Sequence, residues 1–364
     1  MKIRELLSFL EMKAPRALQE SYDNSGLLVG NPDAEATSML ISLDCTEAVI
    51  EEAIAKGSNV ILSHHPIVFS GLKRFTGKNY VERVVMKAIK HDINLISYHT
   101  NLDNVKHGVN ARLAAHLGLS NLSILDPKKD ILKIIVVYVP QEQANQVRQA
   151  LWENGAGGIG NYDQCSFNSG GLGTFRGNNQ TQPFVGQQGE LHTESEVKIE
   201  VVCPSWNVNK AIQAAKQAHP YEEMAYGVYP LNNTWSEVGS GMIGELESPM
   251  PVLEYLHKVK NEMKAGSVRY TQPHVNTIQK VAICGGSGSF LLDKAIAAGA
   301  DLFITSDYKY HQFFDADQRI IIADIGHFET EQYTIDLLSD WFAEKFPTFA
   351  THKTGVVTNP INYL

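Results

Sequence analysis

Short, nearly continuous apolar runs constrain this chain more than anything else in it. They are Met39–Leu43, Val60–Leu62, Ile93–Ser97, Lys280–Cys284, Leu302–Thr305 and Arg319–Ala323. A run that does not alternate apolar with polar residues reads as a strand buried on both faces. Helical stretches lie between the runs. Thr46 caps one that reaches Lys56 and closes at Gly57; Tyr80–His91 and Val109–Leu117 are others. Strand, helix, strand, helix, strand predicts an α/β sheet with parallel crossovers. A first helix, with Ile3, Leu6, Leu7 and Leu10 on one face, precedes it, and Leu27–Val29 is a further short strand.

The pattern changes at Asp126-Pro127-Lys128-Lys129-Asp130, which reads as a linker. Ile131–Val139 is a strand and Glu142–Glu153 a helix. Gly155–Gly189, rich in glycine and polar residues, suits a pair of hairpin strands or a mobile loop. Val197–Cys203, Val208–Ala218 and Met224–Tyr229 follow as strand, helix and strand. This β-α-β-β-α-β order predicts a ferredoxin-like α+β domain over residues 131–231. It is inserted between residues 1–126 and 238–364, the two halves of the first domain. The second half resumes with a helix over Val252–Met263, a helix from Phe290 to Ala298 and a last helix over Thr330–Lys345. Gly57–His65 lies over Gly299–Asp307, and the strands that follow each open into His99 and His327. The expected fold is therefore a repeated α/β sheet domain interrupted by an α+β insert.

Candidate chemistry gathers where these strands stop. His64 and His65 close one run, Asp103 lies just past a second, and His327 lies just past a third with Glu331 four residues on. Ligands of open α/β sheets bind beyond the carboxyl ends of the strands. Adjacent side chains on an extended strand diverge, so His64 and His65 can serve neighbouring ions only if the chain has begun to turn there. His327 and Glu331, at i and i+4, are expected on one face of the last helix's first turn. Five such donors exceed the need of one tetrahedral ion. They suit a pair of divalent ions about 3.5–4 Å apart, with Asp103 or Glu331 as the bridge. The mixed nitrogen and oxygen set suits Zn, Mn, Fe or Co without choosing among them, and zinc is the first expectation. His99 either moves protons, orients a ligand from behind, or is a turn histidine with local partners. Asp307, Lys309 and His311 can line the same crevice. The run Cys284-Gly285-Gly286-Ser287-Gly288-Ser289 is either an anion cradle or a tight strand-to-helix turn.

Composition removes several alternatives. With 31 Lys and Arg against 40 Asp and Glu, and no basic run, the chain lacks the footprint of a nucleic-acid binder. No C-x-x-C pair joins the scattered Cys45, Cys165, Cys203 and Cys284, which argues against a sulfur-rich zinc site and for a reducing compartment. No apolar run approaches membrane-spanning length, and the first residues lack a signal-peptide core. The expectation is a cytoplasmic protein.

The stretches Asp23-Asn24-Ser25-Gly26-Leu27, Ser63-His64-His65-Pro66, His99-Thr100-Asn101-Leu102-Asp103, Thr305–His311 and Gly326–Glu331 together resemble the GTP cyclohydrolase I type 2 homologs, the NGG-interacting-factor-three-like family. The resemblance implies a dinuclear metal site held by His64, His65, Asp103, His327 and Glu331, and a toroidal homohexamer with its sites facing an internal cavity. It also implies that the insert, with His219-Pro220-Tyr221-Glu222-Glu223, is similar to the PII and cation-tolerance proteins. One departure is Ser306-Asp307, where the family pattern favours Gly-Asp or Gly-Glu. The functional expectation is a metal-dependent hydrolase of a nucleotide-like or phosphorylated small molecule. The alternative is a non-catalytic metal-binding regulator or scaffold whose insert binds a small effector or partner.

Overall fold

A computed structural model describes all 364 residues. They form two units, Met1–Asp126 with Val238–Leu364, and Pro127–Glu237. No helix is long and apolar enough to cross a membrane.

The larger unit opens with α1 (Ile3–Lys13), β1 (Gly26–Val29), β2 (Met39–Ser42), α2 (Glu47–Lys56), β3 (Val60–Ser63), α3 (Tyr80–Lys90), β4 (Asn94–Ser97), α4 (Thr100–Asp103), α5 (Val109–His116) and β5 (Ser120–Pro127). Local signals set these bounds. The Thr46 hydroxyl accepts from the Val49 amide at the start of α2, and Gly57, at φ 68°, ends it. The Asn79 side chain accepts from the Glu82 amide at the start of α3. The insert contributes β6 (Leu132–Pro140), α6 (Ala144–Glu153), β7 (Phe167–Phe175), β8 (His192–Pro204), α7 (Val208–Ala218) and β9 (Tyr226–Pro230). The larger unit then resumes with β10 (Gly239–Pro251), α8 (Val252–Glu262), β11 (Arg269–Tyr270), β12 (Thr277–Ser287), α9 (Leu292–Ala297), β13 (Leu302–Ser306), β14 (Ile321–Asp324), α10 (His327–Glu331), α11 (Thr334–Lys345) and β15 (Thr351–Lys353).

Two sheets build the larger unit, in the orders β1-β4-β3-β2-β15 and β11-β14-β13-β12-β10-β5. In each, three consecutive strands run parallel: β2, β3 and β4 in one, β12, β13 and β14 in the other. An antiparallel strand closes the same side of each trio, β1 against β4 and β11 against β14. The parallel strands are buried on both faces, as their unbroken apolar runs require. Leu40, Ile61 and Leu95 pack with Val49, Ile50, Val84 and Ala88 of the covering helices. Val281, Ile283, Leu302, Ile304, Ile321 and Ala323 pack with Leu256 and Val259 of α8 in the other sheet. Each such fully buried valine, leucine or isoleucine contributes about 1.5–3 kcal/mol relative to exposure.

Several elements differ from the sequence expectation. β5, β10 and β15 are additional strands. β15, from the chain's last residues, pairs with β2 in the sheet of the first half, and β5 joins the second sheet, so each half completes the other. The glycines at 285 and 286 extend β12 rather than leave it. The last helix is two: α10 ends at Glu331 and α11 begins at Thr334. His327 and Glu331 therefore share a one-turn helix of their own, not the first turn of the long one.

In the insert, four antiparallel strands lie in the order β7-β8-β6-β9. This is the split β-α-β arrangement. Ile135, Val137 and Val139 of β6 and Ile199, Val201 and Cys203 of β8 pack under α6 and α7. The glycine-rich stretch supplies β7, one arm of a hairpin with β8.

Candidate metal centre

Aligned strand ends create the site. Ser42, Ser63 and Ser97 pair across β2, β3 and β4, so the residues after them share one rim. β3 has ended at Ser63, and the chain turns there. The Ser97 hydroxyl donates to the His64 carbonyl at 2.7 Å, and the Ser63 hydroxyl donates to the His65 carbonyl at 2.8 Å. The turn lets two adjacent imidazoles face one place, with ring centroids 5.0 Å apart. The second sheet brings His327 and Glu331 from α10 to the same rim. His65 Nε2 lies 2.9 Å from Glu331 Oε2, across 266 residues of chain.

Glu331 is the centre of the cluster and is buried. Its Oε2 is 3.1 Å from His327 Nε2, and its Oε1 is 3.8 Å from His64 Nε2. Asp103 Oδ1 stands 3.6 Å from His64 Nε2. The donor atoms of His64, Asp103 and Glu331 lie within 4.8 Å of one another, as do those of His65, His327 and Glu331, and those of His64, His65 and His99. All five residues expected to hold metal, and His99, are thus at one place.

Every imidazole is fixed through its other nitrogen. His64 Nδ1 donates to the Tyr98 carbonyl at 2.9 Å. His65 Nδ1 faces Asp44 Oδ1 at 2.7 Å, His99 Nδ1 faces Asp23 Oδ1 at 2.8 Å, and His327 Nδ1 faces Asp307 Oδ2 at 2.7 Å. With an acceptor on Nδ1, His64, His65 and His327 turn Nε2 toward the carboxylates of the cluster, the orientation that metal-ligating histidines have. Sequence reasoning missed Asp44 and Asp23 in this role. The signal for Asp44 was present, since the Met39–Leu43 run stops there, as other runs stop at His or Asp. Asp23 entered only within the Asp23–Leu27 stretch that carries the family resemblance. Asp307, expected to line the crevice, instead holds His327, from a left-handed backbone at φ 60° that Asp tolerates.

The electrostatics are those of a site built for positive charge. Burial works to raise the Glu331 carboxyl, but the adjacent His327 and His65 hold it well below the usual range. Burial works against a charged His65 and His327, yet Glu331 raises them to about 10 and about 11. Asp103 is pushed up to about 8, first by burial and then by the Glu331 charge. Two buried atoms, His64 Nε2 and Asp103 Oδ1, have no hydrogen-bond partner. Buried polar atoms are costly when unpaired. A cation between them would satisfy both, so the residues present fit a metal.

Glycine makes room for Glu331. A Cβ on Gly286, at φ +63°, would lie 2.3 Å from Glu331 Oε1. The Gly286 amide donates to Thr330 Oγ1 and the Gly285 amide to Asn110 Oδ1, both at 2.9 Å. These amides are occupied, so this run does not cradle an anion with them. Asn110 also donates to the Asp103 carbonyl at 3.1 Å, tying α4 to β12.

The Duf34/NIF3 (NGG1p interacting factor 3) family model matches residues 1–360. A Staphylococcus aureus (strain COL) protein named GTP cyclohydrolase 1 type 2 homolog is 35% identical over 370 residues, covering 100% of both chains. A Halalkalibacterium halodurans protein of the same name is 40% identical over 324 residues, 88% of this chain and 87% of its own. Among solved structures, a Bacillus cereus protein related to NIF3 matches with a TM-score of 0.86 at 36% identity, covering 100% of this chain and 99% of that one. A Staphylococcus aureus protein matches with a TM-score of 0.78 at 34% identity, with the same coverage.

Proposed function

The chain belongs to the Duf34/NIF3 family, and we propose that it binds a pair of divalent cations and uses them to hydrolyse a nucleotide-like or phosphorylated small molecule. One observation carries the reading: the Glu331 carboxylate belongs both to a group with His64 and Asp103 and to a group with His65 and His327. A carboxylate shared by two donor groups is what a bridged pair requires. On this reading His64 and Asp103 hold one ion, His65 and His327 the other, and Glu331 bridges. Zinc is the first candidate, with Mn, Fe or Co also suited to the donors.

When bound, such a pair lowers the pKa of water and polarises a substrate oxygen. The chain's own groups do the rest. His99 carries the proton, because its Nδ1 is committed to Asp23 while its ring stands beside those of His64 and His65, at centroid distances of 5.3 and 5.4 Å. Asp23 is itself fixed by the Thr100 amide at 3.0 Å and the Asn24 amide at 2.7 Å. The relatives' name adds GTP ring opening as one instance of this chemistry.

A second reading is favoured by the insert. It carries its own open cleft of about 610 Å³, with Tyr138, Phe175, Phe184 and Tyr221 in its walls. A PII-like regulatory module that binds a small effector there would make the metals structural or sensed cargo. Both readings include a homohexameric, cytoplasmic protein. The test is metal content by mass spectrometry together with an activity screen over phosphoesters, amides and nucleotide rings. The hydrolase reading requires about two ions per chain and a turnover that His65→Ala abolishes. Two ions with no turnover, and loss of the hexamer on chelation, would move the conclusion to the second reading.

A further inference from the structure

The candidate metal centre opens into a cavity of about 710 Å³, within the ~300–1,000 Å³ range of small-molecule sites. Tyr22, Phe69, Tyr80 and Phe290 line it, at 68%, 52%, 59% and 67% exposure. Single exposed apolar side chains are ordinary, but a group of large rings around one concavity marks a binding surface. These four come from separate parts of the chain: the turn before β1, the segment after Pro66, the first residue of α3 and the turn after β12. Phe69 meets the His99 ring edge to face at 5.6 Å, which places an aromatic surface beside the proposed proton carrier. Phe69 and Phe290 have no hydroxyl whose hydration would account for their exposure.

Charge narrows the occupant further. No Lys or Arg lines the cavity, whereas Glu20, Asp44, Asp103 and Glu331 do. The walls therefore offer a polyphosphate no Lys or Arg to pair with and set carboxylates against it. A plain hydrocarbon ring is equally unsuited, because it would leave the imidazoles and carboxylates at the floor without polar partners. A flat ring with nitrogen and oxygen at its edge satisfies both the walls and the floor.

We infer that the site takes a planar nitrogen heterocycle of low net charge, such as a base, a nucleoside or a pterin, and that Phe69 and Phe290 are the faces on which it stacks. This rests on the metal-site reading above and narrows its substrate class from nucleotide-like or phosphorylated compounds to the ring itself. The test is equilibrium dialysis of the full-length, zinc-loaded protein against guanosine, adenosine, pterin, GTP and ribose 5-phosphate, with zinc content measured in parallel. At least one ring should bind at least about tenfold more tightly than ribose 5-phosphate, and GTP no more tightly than guanosine. The double variant F69L/F290L should lose ring binding about tenfold with zinc unchanged, while F69W/F290W should retain it. The inference is overturned if zinc-loaded protein binds none of the three rings, or if ribose 5-phosphate binds as tightly as they do. It is also overturned if GTP binds about tenfold tighter than guanosine, or if F69L/F290L binds rings like the wild type. The two readings fail separately: rings bound by a wild type that takes up no zinc would sink the metal reading and uphold the aromatic site.

Discussion

The two halves of the larger unit repeat one arrangement and put it to different use. In the first, β4 opens into His99 and, four residues later, Asp103 across the single turn of α4. In the second, β14 opens into His327 and, four residues later, Glu331 across α10. Strand order and short helix match, but the acid is one methylene longer in the second half. That methylene decides reach. Asp103 stays at the His64 side, 3.6 Å from its Nε2. Glu331 touches both His65 and His327 and comes within 3.8 Å of His64. The preceding strands differ as well: β3 ends in two imidazoles, whereas β13 ends in Asp307, which holds His327 from behind. A repeated frame therefore brings unlike donors together, nitrogen-rich from one half and a longer, shared acid from the other.

The largest break in this comparison is Glu331→Gln. It keeps the side chain's size and removes the shared anion, and the expected result is a fall from about two bound ions per chain to fewer than one, since even an outer partner is worth about 10–100-fold in affinity. Metal analysis after gel filtration reads this directly, and two ions retained would remove Glu331 from the bridge. Glu331→Asp makes the second half copy the first. The shortened acid can serve one ion but not both, so about one ion should remain, at the better-preserved group. Retention of the full pair would show that reach is not what separates the halves.

Gly286→Ala approaches the same point through the backbone. At φ +63° an alanine is strained, and its Cβ would sit 2.3 Å from Glu331 Oε1 and 3.3 Å from His327 Cε1. Gly57, in the first half, is the matched control: its φ is +68° but nothing lies within 4 Å of an added Cβ. Both substitutions should cost about 1–3 kcal/mol from backbone strain, read as a lowered Tm. Only Gly286→Ala should also lose metal. Equal metal content in the two variants would mean that Glu331 has room to move.

How much of this was legible in the sequence follows from the same contrast. The parallel strands were legible because unbroken apolar runs such as Val60–Leu62 have few other fates, and the residues that cluster were legible as candidates because they stand at or shortly after the ends of those runs. β10 was not. Gly239–Pro251 carries glycines, prolines and acids, and it is a strand because β12 pairs with it from Met242 to Pro251. β15 is equally a product of tertiary pairing, three residues laid beside β2. The split between α10 and α11 was hidden because Gln332 and Tyr333 carry no helix-stop signal. The orienting carboxylates were visible only as punctuation, since nothing in a linear sequence says which imidazole nitrogen an acid will face.

The smallest expected effect gives the sharpest division between the halves. Asp307 and Asp23 do the same thing to His327 and His99, each accepting from Nδ1 at 2.7 and 2.8 Å. The proposed ligand set includes His327 and leaves out His99, although His99 also lies within 4.8 Å of His64 and His65 at its donor atom. Asp307→Asn keeps a residue that tolerates the left-handed backbone and weakens only the hold on His327, so zinc affinity should fall about 10–100-fold. Asp23→Asn weakens the hold on His99, which on this assignment carries protons rather than metal, so zinc affinity should stay within about threefold while turnover falls. Competition titrations against a chelator of known affinity measure both. If Asp23→Asn costs as much zinc affinity as Asp307→Asn, His99 is a ligand, the two halves donate in the same way, and the proton must be carried by another group.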